Sequence, residues 1–373
     1  MIINKLILEN YRNYTSLDIN FSENINLIVG DNAQGKTNLI EAIYYLAIGK
    51  TFRGAKDKEL IYFKQDFFRI KGQINTIRSN RSNELDIYYD QKKNKLLKIN
   101  GVKYKKISSL FGYLHVIIFS PEDLKIIKEG PSERRRYIDI EISQLDRLYY
   151  DDLKNYYKVL TQRNNLLKEI KFKKQNKDLL ELWDNQLISY GSRIIQKRME
   201  FLKKLVPLAN KIQKIITNDK ESLNITYSSL VLKRATLDLG EIETVFRNSL
   251  QEITHEEIKR ASSLMGPHRD DLTFYINNQE LKNYGSQGQQ RTAVLSLKLA
   301  EIQLFFLING EYPVLLLDDV MSELDDSRRE YLLNLIKEKN IQTFVTGANI
   351  EMINQKIEKS KIFLIEKGKI KQN

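Results

Sequence analysis

Apolar and polar positions along the chain fall into three successive regimes. At the start the pattern is that of strands. Residues 2–8 form an apolar run, 17–21 alternate, and 25–29 read as a short strand of the buried type, covered on both faces. The period then changes. Apolar residues at Leu39, Ile40, Ile43 and Leu46 have helical spacing. From about 67 to 116, short strand patterns (F-F-R-I-K-G-Q-I, L-D-I-Y-Y-D, L-L-K-I-N-G-V) alternate with polar turns, and Asn100-Gly101 predicts a tight hairpin.

The middle of the chain, 141–260, is rich in Lys, Leu, Ile and Asn and reads as helical. Trp183, Leu187, Tyr190 and Ile194 recur in heptad fashion, and Leu153, Tyr157 and Leu160 form a similar stripe. The heptads are too few for a long rod, so a compact bundle is expected. After Gly266 the chain returns to α/β character: a helix over 289–308, a strand over 314–317, a helix over 327–337, a strand over 343–346 and a terminal hairpin over 362–370. The expected organisation is an α/β domain split into 1–140 and 263–373, with a helical lobe, 141–262, inserted between them.

Composition narrows the chemistry. With 373 residues, 42 % of them hydrophobic, the chain can bury a large core. It has no cysteine, so disulfides, thiolate nucleophiles and Cys-based zinc sites are excluded. His115, His255 and His268 lie far apart and give no metal-ligand spacing. The N-terminus has no signal-peptide pattern, and the longest apolar segment, 293–308, is interrupted by Lys298, Glu301 and Gln303. A soluble cytoplasmic protein is therefore expected. The formal net charge of +12 favours polyanionic partners, although lysine-rich chains are often simply well solvated.

The loop after the third strand reads Gly30-Asp31-Asn32-Ala33-Gln34-Gly35-Lys36-Thr37, which satisfies G-x-x-x-x-G-K-[ST]. Its glycines let backbone N–H groups and the following helix N-terminus converge on phosphates. In such a loop Lys36 reaches the β- and γ-phosphates and the Thr37 hydroxyl ligates Mg²⁺. All eight residues are thus expected to line a site for a nucleotide triphosphate, ATP. The segment V-L-L-L-D-D, 314–319, is a buried strand ending in two carboxylates, and ligands of open α/β sheets sit at strand carboxyl ends. Asp318 is expected to hold Mg²⁺ through its water shell and Asp319 to polarise the attacking water. Lys36, Asp318 and Asp319 are the candidate catalytic residues, with Thr37 and Asp318 toward the metal.

The segment Y-G-S-Q-G-Q-Q-R, 284–291, opens the helix before that strand. Ser286, Gly288 and Gln289 offer a hydroxyl, bare backbone and an amide at a helix N-terminus, suited to an anion. The segment resembles the signature motif of ABC-type ATPases, which caps the γ-phosphate held by a second protomer. Ser286, Gln287, Gly288 and Gln289 are therefore expected to complete the nucleotide site of another copy. The run S-E-L-D, 322–325, resembles the D-loop of that class. Thr346, in V-T-G-A-N, stands where many ABC ATPases carry histidine, and Asp319 where they carry glutamate. Both departures imply slow hydrolysis, suited to a switch.

These motifs join E-N-Y-R-N-Y (9–14), F-S-P-E-D-L (119–124), G-P-S-E-R-R-R-Y-I-D (130–139) and G-P-H-R-D-D (266–271) in a fixed order. From end to end the chain resembles the RecF family of bacterial recombination mediators, relatives of SMC-type heads. The resemblance implies an ABC/SMC-type ATPase head with mixed sheets: a RecA-like core, an antiparallel β subdomain and the inserted lobe. It implies ATP-dependent homodimerisation, binding at gaps or junctions of single- and double-stranded DNA, and work with RecR and RecO to load RecA. Roles in DNA replication, repair of DNA damage and the SOS response follow with it. It also places Arg12 near the nucleotide and Glu122 in the segment equivalent to the Q-loop, where no glutamine stands.

A transporter nucleotide subunit shares the P-loop and signature, but the helical insert, the basic balance and Thr346 speak against it. A scaffold in which nucleotide only stabilises the fold is a third reading, separable by turnover. Candidate DNA contacts are Arg134, Arg135 and Arg136, then Arg78/Arg81, Lys92/Lys93/Lys95 and Lys103/Lys105/Lys106. The lysine clusters suit a solvated face better than a DNA contact, and the arginines equally suit an internal ion-pair hub with Asp270 or Asp271. His268 suits a structural hydrogen-bonding role.

Overall fold

A computed structural model describes residues 1–76, 81–173, 178–232, 236–347 and 360–372. Arg78, Ala348 and Asn349 lie outside them. In chain order the first elements are β1 (Ile2–Tyr11), β2 (Tyr14–Asn20), β3 (Ile25–Val29), α1 (Lys36–Ile48), β4 (Phe67–Thr76), β5 (Arg81–Asp90), β6 (Lys95–Ile99), β7 (Val102–Tyr104) and β8 (Val116–Phe119). Next come α2 (Lys125–Lys128), α3 (Pro131–Leu145), α4 (Arg147–Lys173), α5 (Leu179–Ile216), β9 (Leu223–Ser228), α6 (Leu239–Arg260), β10 (Asp271–Ile276), β11 (Gln279–Glu280), α7 (Leu281–Tyr284) and α8 (Gln287–Asn309). The chain ends with β12 (Val314–Asp318), α9 (Asp326–Lys339), β13 (Thr343–Gly347), β14 (Ser360–Glu366) and β15 (Lys369–Gln372). Two compact units result: Met1–Leu124 with Leu295–Asn373, and Lys125–Val294.

The first unit holds two six-stranded sheets. One has the order β15-β14-β3-β13-β12-β8 and is parallel except for β15. Its strands β3 and β12 are buried at every position, Asn26 and Asp318 included, and are otherwise apolar, as strands covered on both faces are. The other, β2-β1-β4-β5-β6-β7, is antiparallel and alternates buried with more exposed positions, as a sheet with one covered face must. Asn100 and Gly101 (φ 51° and 79°) form the two-residue turn between β6 and β7, as their sequence predicts. Gln342 ties the antiparallel sheet to the entry of β13. Its carboxamide accepts from the Ile3 N–H (2.7 Å) and donates to the carbonyls of Ile3 (2.9 Å) and Ser22 (2.8 Å).

The second unit extends past the 141–262 segment expected from composition, because its pairings are long-range. Strand β9, within the segment read as wholly helical, pairs with β10 in register Phe274↔Ile225. Non-local pairing of this kind overrides a helical surround. Helices α4, α5 and α6 pack as a bundle, with Leu166, Leu167, Ile170 and Leu180 clustered against Trp183 and Ile258. The stripe expected through Tyr157 falls one residue away: Tyr156 is fully buried and Tyr157 is 42 % exposed. Tyr156 can be buried because its hydroxyl meets Nδ1 of His268 at 2.6 Å.

A buried ionic network crosses this unit. Arg198 on α5 grips Asp139 on α3 (2.8 and 3.0 Å) and donates to the Pro267 carbonyl (2.7 Å). Arg163 on α4 pairs with Asp184 (2.5 Å) and Glu257 (2.6 Å) and donates to Ser263 (2.8 Å). Tyr227 donates to Asp270. The motif G-P-H-R-D-D is therefore anchored to the lobe's long helices, and His268 has a structural place in it.

Burial pushes the His268 imidazole down to about 4, with Arg269, Arg135 and Arg163 adding to the fall and the Ser263 carbonyl opposing it. Its folded value lies below the unfolded one, so the unfolded chain binds more protons and stability falls as pH drops from about 6.5 to about 4. The loss by pH 4.5 should be roughly 2–3 kcal/mol. Denaturant unfolding followed by Trp183 fluorescence at pH 7 and pH 4.5 should show His268→Gln losing less stability than the wild type by about that amount. Equal losses would mean that His268 takes up its proton in the folded state.

Candidate nucleotide-binding site

The parallel strands of the first unit end together. Asp318 of β12 lies beside Thr346 of β13, which lies beside Ile28 of β3. Beyond Val29 the chain turns at Gly30, φ 147°, where a Cβ would stand 2.3 Å from the Ile365 carbonyl oxygen. At Gly35, φ 120°, a Cβ would stand 2.5 Å from Nδ2 of Asn13. Only glycine fits either place. Lys36 then begins α1, which is buried almost all round, so the loop rests on a helix embedded in the core.

Lys36 is buried, and its ammonium donates to the carbonyls of Gly30 (2.7 Å) and Asp31 (2.9 Å), across the mouth of the loop. The Thr37 hydroxyl donates to Oδ1 of Asp318 (3.0 Å), and the Thr346 hydroxyl donates to the same oxygen (2.8 Å). Thr346 Oγ1 in turn accepts from the Asp319 N–H (2.9 Å). Burial raises the Asp318 carboxyl above the ordinary carboxylate range; the hydroxyls of Thr346 and Thr37 and the charge of Arg53 pull it down, while Asp319 pushes it up. Asp319 is exposed and takes a left-handed backbone, φ 55°, which Asp and Asn tolerate.

The oxygens gathered here suit a hard cation. Among the described residues no three His, Cys, Asp or Glu side chains cluster as a metal site. Mg²⁺ does not need such a cluster, since it keeps waters and phosphate oxygens and takes only one or two protein carboxylates. The pair Thr37 and Asp318 fits that demand.

Three contributors escaped the sequence reading. Asn13 and Tyr14 reach the P-loop from the turn between β1 and β2, through Gln34 and Gly35. Both stand inside E-N-Y-R-N-Y, so the signal was present without a stated role. Arg53, exposed after α1, acts electrostatically on Asp318 and lies 3.4 Å from Oδ1 of Asn38. No spacing rule flags it. Arg12 is held by the fully buried Glu41 of α1, at 2.8 and 3.0 Å. Glu122 is exposed on a short turn, Pro121–Leu124.

In the second unit, Ser286 and Gln289 form a reciprocal capping box. The Ser286 N–H donates to Gln289 Oε1 (2.9 Å), and the Gln289 N–H donates to Ser286 Oγ (3.2 Å). Gln289 Nε2 also donates to Glu221 (3.0 Å), while Ser286, Gln287 and Gly288 are exposed at the start of α8. By length and composition α8 could cross a membrane, but its apolar window is 72 % buried, as in a core helix. The S-E-L-D turn is braced by Arg329, which donates to the carbonyls of Met321 (3.1 Å) and Leu324 (2.8 Å).

The basic residues divide. Arg134 is buried and forks onto Asp271 at 2.7 and 2.8 Å, so it serves the internal ion pair and is withdrawn as a DNA contact. Arg135 donates to the Asp270 carbonyl (2.8 Å), and Arg136 lies 3.7 Å from Glu133. Lys95 is likewise taken up, by the Gly49 carbonyl (2.6 Å) and Asp57 (3.1 Å). Lys92, Lys93, Lys103, Lys105 and Lys106 are exposed.

Comparison with known proteins extends over the whole chain. Residues 2–371 match the family described as RecF/RecN/SMC N terminal domain. The chain is 44 % identical over 372 residues to a DNA replication and repair protein RecF of Bacillus cereus, covering 99 % of this chain and 98 % of that protein. Identity and coverage are the same against that of Bacillus thuringiensis (strain Al Hakam). Among solved structures, the recombination mediator protein RecF-ATP of the RecFOR pathway superposes with a TM-score of 0.92 at 39 % identity, over 100 % of this chain and 97 % of that one. An Smc head domain from Pyrococcus furiosus, at 18 % identity and a TM-score of 0.56 over 99 % of this chain and 95 % of that one, shares the fold alone. With its ABC/SMC-type head and a match to RecF proteins along its full length, the chain belongs to the RecF/RecN/SMC N-terminal domain family and, within it, to the RecF proteins.

Proposed function

We propose that this chain is an ATP-dependent DNA-repair switch. One observation carries the reading: Thr37 of the phosphate loop and Thr346 of the neighbouring strand both hydrogen-bond Asp318, so cradle and acidic strand end form one site. In this reading residues Gly30, Asp31, Asn32, Ala33, Gln34, Gly35, Lys36 and Thr37 hold the triphosphate, with Arg12 nearby. Thr37 and Asp318 would hold Mg²⁺, which when bound offsets phosphate charge. Lys36 exchanges its two carbonyl partners for phosphate oxygens, and Asp319 accepts a hydrogen bond from the attacking water. An aspartate is one methylene shorter than the glutamate common in ABC ATPases, so slow turnover is expected.

Ser286, Gln287, Gly288 and Gln289 lie in the other compact unit, and their resemblance to a signature motif supports a role on a second protomer's γ-phosphate. ATP would then drive homodimerisation, and the dimer would bind gapped or junction DNA in the cytoplasm, with RecR and RecO, to favour RecA loading during replication, repair and the SOS response. The RecFOR pathway named for the superposed relative supports those partners. Arg135 and Arg136 remain candidates for the DNA surface.

Turnover measured with and without gapped DNA tests the reading. Lys36→Met should lose ATP binding. Asp319→Asn, which keeps the left-handed backbone, should bind ATP yet lose on the order of 100-fold in turnover. Equal rates for the wild type and both variants would leave nucleotide as a structural ligand only.

Light scattering tests the shared site. Ser286→Arg should abolish the mass increase seen with ATP and gapped DNA while ATP affinity stays within about threefold, which corresponds to less than about 1 kcal/mol. Loss of both together would refute a site completed by a second copy.

A further inference from the structure

The phosphate loop is held from behind by two segments far from it in sequence. The Gln34 carbonyl accepts two hydrogen bonds, from Nδ2 of Asn13 (2.8 Å) and from the Gly368 N–H (3.1 Å). The Gly35 carbonyl also accepts two, from the Tyr14 hydroxyl (2.9 Å) and the Leu39 N–H (3.1 Å). The Gln34 side chain is fixed as well, since its Oε1 accepts from the Lys367 N–H (2.6 Å).

A trans peptide points its N–H opposite to its C=O. Holding the Gln34 carbonyl backward therefore aims the Gly35 N–H forward, and holding the Gly35 carbonyl does the same for the Lys36 N–H. Successive amides aimed one way form an anion-binding nest. We propose that Asn13, Tyr14 and the Gly368 turn between β14 and β15 are positioning residues that preset this nest, a deeper reading of the nucleotide site that rests on the function proposed above.

Three further observations fit. Asn13 cannot swing freely, because its Oδ1 accepts from Nδ2 of Asn38 (2.8 Å), which also decides which end of the carboxamide donates. Gly368 has φ 73°, and a Cβ there would stand 2.3 Å from the Asn13 carbonyl oxygen, so only glycine lets the hairpin come this close. Tyr14 is fully buried, which holds its phenol protonated and a donor at neutral pH. A glycine-containing loop loses much conformational freedom on ordering. Prepaying that loss with outside hydrogen bonds leaves more of the phosphate interaction to appear as affinity.

The test compares Tyr14→Phe, Asn13→Ala and Gly368→Ala with the wild type. ATP affinity and steady-state hydrolysis are measured at 25 °C, and thermal unfolding is measured without nucleotide. Each variant should bind ATP roughly five- to twentyfold more weakly, the effect of losing one or two hydrogen bonds of ordinary strength. KM should rise by a larger factor than kcat falls, because the nest serves ground-state and transition-state phosphates alike. Tyr14→Phe removes a single oxygen, and Asn13→Ala and Gly368→Ala act on different segments, so a folding failure in one leaves the others to decide. Variants that unfold at lower temperature but bind ATP as tightly as the wild type would overturn the inference and leave the nucleotide reading intact. A wild-type chain that binds no nucleotide would overturn both.

Discussion

The register of three parallel strands governs the rest of the first unit. Thr346 on β13 stands between Ile28 on β3 and Asp318 on β12, so the glycine loop that follows β3 and the carboxylates that end β12 emerge side by side. A shift of one residue would turn every side chain of a strand to the other face and separate Thr37 from Asp318. The hydroxyls of Thr37 and Thr346 lock the register at the point of use, and the same bonds keep a buried carboxyl accommodated.

The second unit solves a different problem. Its core holds Arg198, Arg163, Asp139 and Glu257, charges that would cost several kcal/mol each if left unpaired. Each is matched by a partner on another element, which ties helices α3, α4, α5 and α6 and the G-P-H-R-D-D segment together. Arg134 belongs to this network of internal pairs rather than to a DNA surface, because its fork is filled by Asp271. Lys92, Lys93, Lys103, Lys105 and Lys106, near β6 and β7, are exposed instead.

Local patterns carried most of the architecture. The apolar stretches of β3, broken only by Asn26, and of β12, up to Asp318, announced strands covered on both faces, and Asn100-Gly101 announced a turn. The glycines of the loop announced a turn, which Gly30 and Gly35 make at positive φ ahead of α1. Strand β9 was hidden, because its six residues acquire strand character only from β10, more than forty positions later. Tyr156 and Tyr157 are alike in sequence, and which one is buried follows from where His268 stands.

The linear sequence alone sets which chemistry is present: a glycine-bounded loop ahead of a helix, and a strand ending in two carboxylates. Each depends on residues within one turn or one strand of each other, so the linear pattern contains the information. Only the tertiary structure decided how that chemistry is aimed. The Gln34 carbonyl is held by Asn13, 21 positions before it, and by Gly368, beyond the last parallel strand. Asp318 is held by Thr37, 281 positions before it. Hydrogen-bond partners so distant in sequence are brought together by folding, and no local period or spacing records them.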